Sequence, residues 1–363
     1  WLSSGDLEGL PEDVVESAAH AAEEKGRPGE YLFTLDQPVY MAFMKYSSRR
    51  DLREKMFRLY SGRNMSGEYS NIGIITELTD LRLKLARLLG RETFAGFVLE
   101  HTMAGTPEKV YGLLNSLRDA YRPALEKEME NLQTFAESVA GKGFTLRPWD
   151  YSYFANKLKE KEYSYDEEAL RPYFKLENVI EGVFGLATRL YGITFVEAHG
   201  VEVYHPDVKV FEVHDSDGSY LGLLYTDFFP RVSKRPGAWM TDFKGEWTEP
   251  DGTVSRPHVS LVMNFTKPTP SKPSLLTPME VSTFLHEFGH ALHGLLANTR
   301  YASLSGTNVR RDFVELPSQF NENFLHCKEF LDSFARHYLT DEPIPAEFVA
   351  RMVNAARFGA AYS

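Results

Sequence analysis

Apolar residues recur along much of the chain at intervals of three and four, the pattern of a helix with one apolar face. One such stripe consists of Ile74, Leu78, Leu81, Leu85 and Leu88. Gly90 follows it as a stop signal, and Thr106-Pro107 is typical of the start of the next long helix. The inner face of that helix carries Val110, Leu114, Leu117 and Tyr121. The pattern predicts a mostly helical protein in which these stripes pack into the core.

One region has a different pattern and predicts strands. Three valines between residues 208 and 213 precede the turn cluster at residues 215–218, and residues 219–229 are rich in Leu, Tyr and Phe. This arrangement predicts a β-hairpin. Residues 239–243 and 258–265 could add further strands. A proline-rich loop at residues 267–278 then leads into another helix.

Composition narrows the class of protein. With 363 residues, of which 43% are hydrophobic and 25% charged, the chain can build a sizeable core, in two or three units or in one large domain. A net charge of −11 argues against nucleic acid or an anionic membrane as the partner, and no apolar run is long enough for a membrane span. The single cysteine, Cys327, excludes an internal disulfide framework and fits a reducing compartment. We therefore expect a cytoplasmic protein.

The helix after the proline-rich loop carries the most specific motif. Thr277 and Glu280 form a capping box that predicts the start of the helix. His286 and His290 are four residues apart and thus lie on one face, so both imidazoles can reach one ion. Glu287 is rotated about 100° from His286, where it flanks the metal and can accept a proton from the attacking water. This is the H-E-x-x-H pattern of zinc peptidases.

A catalytic zinc site needs a third protein ligand. The metzincin pattern is excluded because His293 and Leu296 occupy its glycine and histidine positions. A carboxylate from a neighbouring helix remains, and Glu315 and Glu322 are both candidates because they share a helix face. His293 lies about 10.5 Å along the axis from His286, so we interpret it as a packing or polar-shell residue. Asp312, Gln319 and Glu322 are candidates to orient the ligand histidines, although we favour a solvated or capping role for Asp312.

Two runs carry a resemblance to a known family. The run His-Glu-Phe-Gly-His-Ala-Leu-His-Gly-Leu at residues 286–295 resembles the M3 family of zinc oligopeptidases, and so does the run at residues 305–319. The second run is most similar to the peptidyl-dipeptidase (dipeptidyl carboxypeptidase) branch. Further matches to that branch are Pro148-Trp149-Asp150 followed by Tyr153, residues 204–208, and residues 237–240. The resemblance extends over nearly the whole chain, although the first third matches only as a helical pattern.

The resemblance implies a ligand set and a fold. One Zn2+ per chain would be held by His286, His290 and Glu315, with Glu287 as the catalytic base. The implied fold is a mainly α, elongated helical metallopeptidase of the zincin, neurolysin-like type, with a small β-sheet next to the HExxH helix. Residues 1–200 would form a helical part, residues 201–266 a small β-region and residues 267–363 the zinc-binding helices. All three belong to one M3 catalytic domain.

The implied function is zinc-dependent hydrolysis of short peptides, with release of C-terminal dipeptides. An endo-acting oligopeptidase on the same scaffold is an alternative. A non-catalytic helical peptide-binding protein with a zinc site is another, but Glu287 argues against it because a structural site has no use for a base.

This sequence differs from the family in length. Members are longer at both ends, and a segment beyond the zinc helices supplies the His and Tyr residues that stabilise the oxyanion. The present sequence ends at Ser363, before any such segment. We therefore expect a fragment that is nearly inactive alone and that exposes apolar surface.

Overall fold

The computed structural model describes residues 1–164, 166–356 and 358–362. The chain forms two compact units, residues 1–164 with 354–363 and residues 165–353. The helices of the first unit are α1 (Glu12–Glu24), α2 (Gln37–Tyr46), α3 (Arg50–Ser61), α4 (Ile72–Leu88), α5 (Phe94–Leu99), α6 (Pro107–Ala140) and α7 (Tyr151–Tyr163). Short 3-10 helices at Ser4–Asp6 and Pro148–Asp150 complete it.

The first unit is held together by small apolar clusters and one buried ion-pair network. Phe43, Met44 and Met56 form the cluster between α2 and α3, and Leu132 and Phe154 belong to the cluster between α6 and α7. Asp150 in the Pro-Trp-Asp run is fully buried and accepts hydrogen bonds from Arg50 and Arg53 of α3. The run that resembles the peptidase family therefore anchors α3 to the start of α7.

The predicted helices α4 and α6 are present, but their predicted burial is wrong. Leu78, Leu81 and Leu85 are 43–52% exposed, and Leu114 and Leu117 of α6 are also exposed. The period of an apolar stripe sets which face of a helix is apolar, whereas burial requires a second layer that packs against it. No such layer covers these faces in the part of the chain that the structure describes.

The second unit combines helices with a small sheet. Its helices are α8 (Leu176–Tyr191), α9 (Pro278–Leu295), α10 (Leu316–Glu322), α11 (Lys328–Phe334) and α12 (Ala346–Ala355). Its strands are β1 (Thr194–Glu197), β2 (Lys209–His214), β3 (Tyr220–Asp227), β4 (Trp239–Lys244), β5 (Trp247–Thr248), β6 (Val254–Ser255) and β7 (His258–Val262). The last residues of α12, from Asn354, are assigned to the first unit. Short 3-10 helices occupy Arg171–Tyr173, Ala302–Leu304 and Asn323–His326.

The main sheet has five strands in the order β1-β2-β3-β7-β4. The hairpin of β2 and β3 is antiparallel, as predicted, whereas β3 and β7 pair in parallel. That parallel pairing places β4 at one edge of the sheet, beside β7 only. Strand β1, which the sequence analysis did not predict, forms the opposite edge.

Helix α9 packs against β7, β4 and β3. Its capping box is present, since Thr277 and Glu280 hydrogen-bond each other's backbone N–H groups. Phe284, Leu285 and Phe288 of α9 are fully buried. The prediction of a mainly α fold with a small sheet beside the HExxH helix is confirmed. Among the described residues, no helix combines the length and apolarity that crossing a membrane requires.

Candidate metal centre

Two histidines of α9 face the same side of the helix. The rings of His286 and His290 are 5.0 Å apart between centroids and are nearly perpendicular. Both side chains are partly accessible, with 27% of His286 and 12% of His290 exposed. The helical spacing therefore presents two imidazole nitrogens to one point, as the sequence pattern indicates.

A carboxylate from the next helix joins them. Oε2 of Glu315, the residue immediately before α10, lies 3.2 Å from Nε2 of His286 and 3.1 Å from Nε2 of His290. One ligand atom from each of the three residues lies within 4.8 Å of the other two. Glu322 contacts the opposite side of the His286 ring, with its Oε1 2.6 Å from Nδ1. Of the two carboxylates left open by spacing, Glu315 is thus the one that faces both Nε2 atoms.

Gly289 explains how α10 comes so close to α9. A Cβ on this residue would lie 2.6 Å from the Cα of Ser318 and 2.7 Å from the carbonyl oxygen of Pro317. Only a residue without a side chain permits this backbone approach. Pro317 itself stands in the first turn of α10, where its missing N–H costs no hydrogen bond.

The immediate surroundings favour the protonation states that bind a metal. Burial opposes ionisation of Glu315, but a hydrogen bond from Ser318, with Oγ 2.9 Å from Oε2, and the nearby His290 and His286 together lower its pKa. Burial lowers the pKa of His290. An ionised carboxylate and a neutral imidazole are the forms in which these side chains coordinate metals.

Glu287 lies beside this trio. It is only 7% exposed, and burial raises its pKa to about 7, with His286 opposing the shift and Glu315 adding to it. The backbone of Met240 in β4 lies near its carboxylate and acts to lower the pKa. A carboxylate with a pKa near neutrality can both accept and release a proton, which suits a general base.

The trio and Glu287 line an open cleft. Its other walls include Trp239 and Met240 of β4, together with Thr307 and Val314 from the chain between α9 and α10. Because β4 is an edge strand, no other strand among the described residues pairs with one side of its backbone. The cleft thus places an unpaired strand edge next to the polar centre.

A buried carboxylate fixes the loop that connects α9 to α10. Glu246, which follows β4, is 1% exposed, and its Oε2 accepts hydrogen bonds from the backbone N–H and the hydroxyl of Thr299, both at 2.9 Å. Gly306 of the same loop lies against Gly294 of α9. This loop returns the chain so that Glu315 meets the histidines.

The remaining sequence candidates lie outside the trio. His293 is half-buried on α9 and does not belong to the group of converging ligand atoms. Burial lowers its pKa. Asp312 and Gln319 are exposed. The sequence analysis did not identify Met240, Ser318 or Glu246, because their contacts with the site depend on long-range packing.

Comparison with known proteins places the chain in a family. The model of Peptidase family M3 matches residues 43–363, which include both the HExxH helix and α10. The chain belongs to peptidase family M3. Members of this family are metallopeptidases, as the resemblance implied.

Curated relatives of the M3 chain carry two kinds of name. Oligopeptidase A of Escherichia coli (strain K12) is 41% identical over 362 residues, covering 98% of this chain and 53% of the relative. Dipeptidyl carboxypeptidase of the same organism is 38% identical over 358 residues, covering 98% and 52%. A protein of Arabidopsis thaliana named probable cytosolic oligopeptidase A is 38% identical over 368 residues, covering 98% and 52%. The chain thus spans about half the length of these relatives.

Proposed function

We propose that this M3 chain forms the zinc-binding part of a peptidase that hydrolyses short peptides. The observation that carries the proposal is the convergence of two imidazole nitrogens and one carboxylate oxygen beside Glu287. Two histidines and one glutamate are the donor set of many catalytic zinc sites. The separations of 3.1 and 3.2 Å between nitrogen and oxygen are short enough for these atoms to share one ion.

In this proposal His286 and His290 would hold zinc through Nε2, and Glu315 would hold it through Oε2. When bound, zinc would supply Lewis-acid polarisation of the scissile carbonyl and would lower the pKa of water. Glu287 accepts the proton of the attacking water and later delivers it to the leaving amine. Its side chain lines the same cleft as Met240 of the edge strand.

The substrate class follows from the edge strand. An extended peptide can pair with the unpaired side of β4, which lines the cleft through Trp239 and Met240. Pairing through backbone groups requires a segment that is extended and not folded on itself. Short peptides meet this requirement, and we propose them as the substrates. Among the relatives, the names oligopeptidase A and dipeptidyl carboxypeptidase both describe action on peptides.

For the cleavage mode we propose release of C-terminal dipeptides, on the basis of the run at residues 305–319. Endo-acting cleavage is the alternative, which the 41% identity to oligopeptidase A favours. Mass spectrometry of products from one peptide with a free and with an amidated C-terminus separates the two modes. A peptidyl-dipeptidase should cleave only the free form.

We also propose a cytoplasmic location, supported by the unpaired Cys327 and by the cytosolic name of one relative.

The metal assignment is tested by zinc stoichiometry. Protein stripped with a chelator and then dialysed against zinc should bind one equivalent, as measured by mass spectrometry of the metal. His290→Ala and Glu315→Ala should lose that equivalent, whereas His293→Ala should retain it. Full zinc content in His290→Ala would contradict the assignment.

A further inference from the structure

Glu322 is not one of the three proposed zinc ligands, yet it hydrogen-bonds one of them, His286. Oε1 of Glu322 lies 2.6 Å from Nδ1 of His286, the ring nitrogen that faces away from Glu315. A carboxylate only accepts hydrogen bonds, so Nδ1 of His286 is the donor. With Nδ1 donating to Glu322, Nε2 is the ring nitrogen that remains to face Glu315 and a metal ion.

This contact is built by the packing of α10 against α9. Asn321 is 2% exposed and donates a hydrogen bond from Nδ2 to the carbonyl oxygen of Leu285, at 3.3 Å. Three residues earlier in α10, the backbone of Ser318 contacts Gly289. The turn of α10 that precedes Glu322 is thus held against α9 at two points.

The two histidines differ in this respect. Nδ1 of His290 is buried and has no hydrogen-bonding group within reach in the part of the chain that the structure describes. Among the described residues, a side chain thus holds the Nδ1 side of the ring in His286 but not in His290. Glu315, Ser318 and Glu322 follow one another at steps of three and four and share one face of α10. On that face Glu315 is a proposed zinc ligand, the hydroxyl of Ser318 hydrogen-bonds its carboxylate, and Glu322 hydrogen-bonds the ligand His286.

We propose that Glu322 is a positioning residue that fixes the tautomer and the ring orientation of His286. The proposal rests on the proposed zinc site, because it assigns Nε2 of His286 to the metal. Partners of this kind typically change metal affinity by 10- to 100-fold. Glu322 has a side chain that is 39% exposed, so its replacement removes little packing.

The first measurement is the zinc dissociation constant of the full chain, determined by competition with a chromophoric chelator. Glu322→Ala should weaken zinc binding by about 10- to 100-fold. Glu322→Gln retains an acceptor oxygen and should fall between this variant and the wild type. Gln319→Ala, an exposed position one turn earlier in α10, is the matched control and should bind zinc like the wild type. Equal weakening in Gln319→Ala and Glu322→Ala would overturn the specific role of Glu322.

The second measurement is the tautomer of His286, observed by NMR of the metal-free protein with labelled histidine, in a Glu315→Ala background that removes the carboxylate beside Nε2. This background should show the Nδ1–H form, and adding Glu322→Ala should give a mixture of both tautomers. An unchanged tautomer and unchanged zinc affinity in Glu322→Ala would overturn the proposal. His286→Ala separates this result from failure of the zinc site. If that variant also binds zinc like the wild type, the proposed site itself is wrong.

Discussion

The Cα of Ser318 lies 2.6 Å from the position that a Cβ on Gly289 would occupy. Gly289 stands between the two histidines of the motif, and Ser318 hydrogen-bonds the carboxylate of Glu315. One backbone contact between α9 and α10 therefore sets the distance between the imidazoles and their carboxylate partner. A change at this contact should disturb all three side chains.

The first prediction concerns that contact. Gly289→Ala should force α10 away from α9, destabilise the fold by about 1–3 kcal/mol and weaken zinc binding, because Glu315 moves with α10. The control is Gly185→Ala in α8, where the added Cβ would meet no described atom within 4 Å apart from its chain neighbours and the backbone of its own helix. That variant should be neutral or stabilising by up to about 1 kcal/mol. Urea unfolding and zinc competition measure both effects. Wild-type zinc affinity in Gly289→Ala would contradict this account.

The second prediction concerns Glu287. In a protein that spans the full length of the M3 relatives, Glu287→Gln keeps the size of the side chain but removes the base, so most peptide turnover should be lost. Zinc should be retained at one equivalent, because Glu287 is not one of the three converging ligand residues. Turnover with a fluorogenic peptide and metal content are measured on the same preparation. Loss of zinc from this variant would show that base and ligand have been misassigned.

The third prediction concerns a buried ion-pair network at the end of β3. Asp227 is fully buried and accepts hydrogen bonds from Arg231 at 2.9 Å, Lys234 at 2.9 Å and Tyr204 at 3.0 Å. Burial would raise the pKa of Asp227, but the two cations outweigh it and lower the pKa below 3.8. Lys234 also donates to the carbonyl oxygen of Phe229, so the network fixes the chain that leads to β4.

Asp227→Asn should therefore cost about 3–5 kcal/mol at pH 7, because two cations lose their buried counter-charge. The contribution of an acid with a lowered pKa is complete above its unfolded pKa and is lost as the pH falls through its folded pKa. The stability difference between wild type and variant should thus shrink only below about pH 4. Urea unfolding at several pH values measures it. Asp80→Asn, which breaks an exposed pair with Lys84, is the control and should change stability little.

Local patterns predicted the elements that carry the site. The capping box, the helix and the pairing of His286 with His290 all depend on neighbours within a few turns, and all are present. The choice between Glu315 and Glu322 could not be made from spacing. Both residues lie on one face of α10, and which ring nitrogen each reaches depends on how closely α10 approaches Gly289.

Long-range pairing accounts for what the sequence did not predict. Met240 meets Glu287 because β3 and β7 pair in parallel and leave β4 at the edge, a result of sheet order and not of local pattern. Strand β1 has only four residues, which is too short for a periodic signal. The stripe on α4 predicted a helix correctly, but its burial depended on a covering layer that no local pattern specifies.

The last prediction concerns that stripe. Leu81 and Leu85 are 52% and 44% exposed, and an apolar face of this kind promotes association in water. The double variant Leu81→Glu and Leu85→Glu should reduce self-association and dye binding to apolar surface, with the helix content unchanged. Sedimentation velocity and circular dichroism measure both effects. The contrasting variant is Leu132→Glu in α6, which places a charge at a position only 3% exposed and should unfold the first unit. Loss of helix content in the double variant would show that the α4 face is packed in solution.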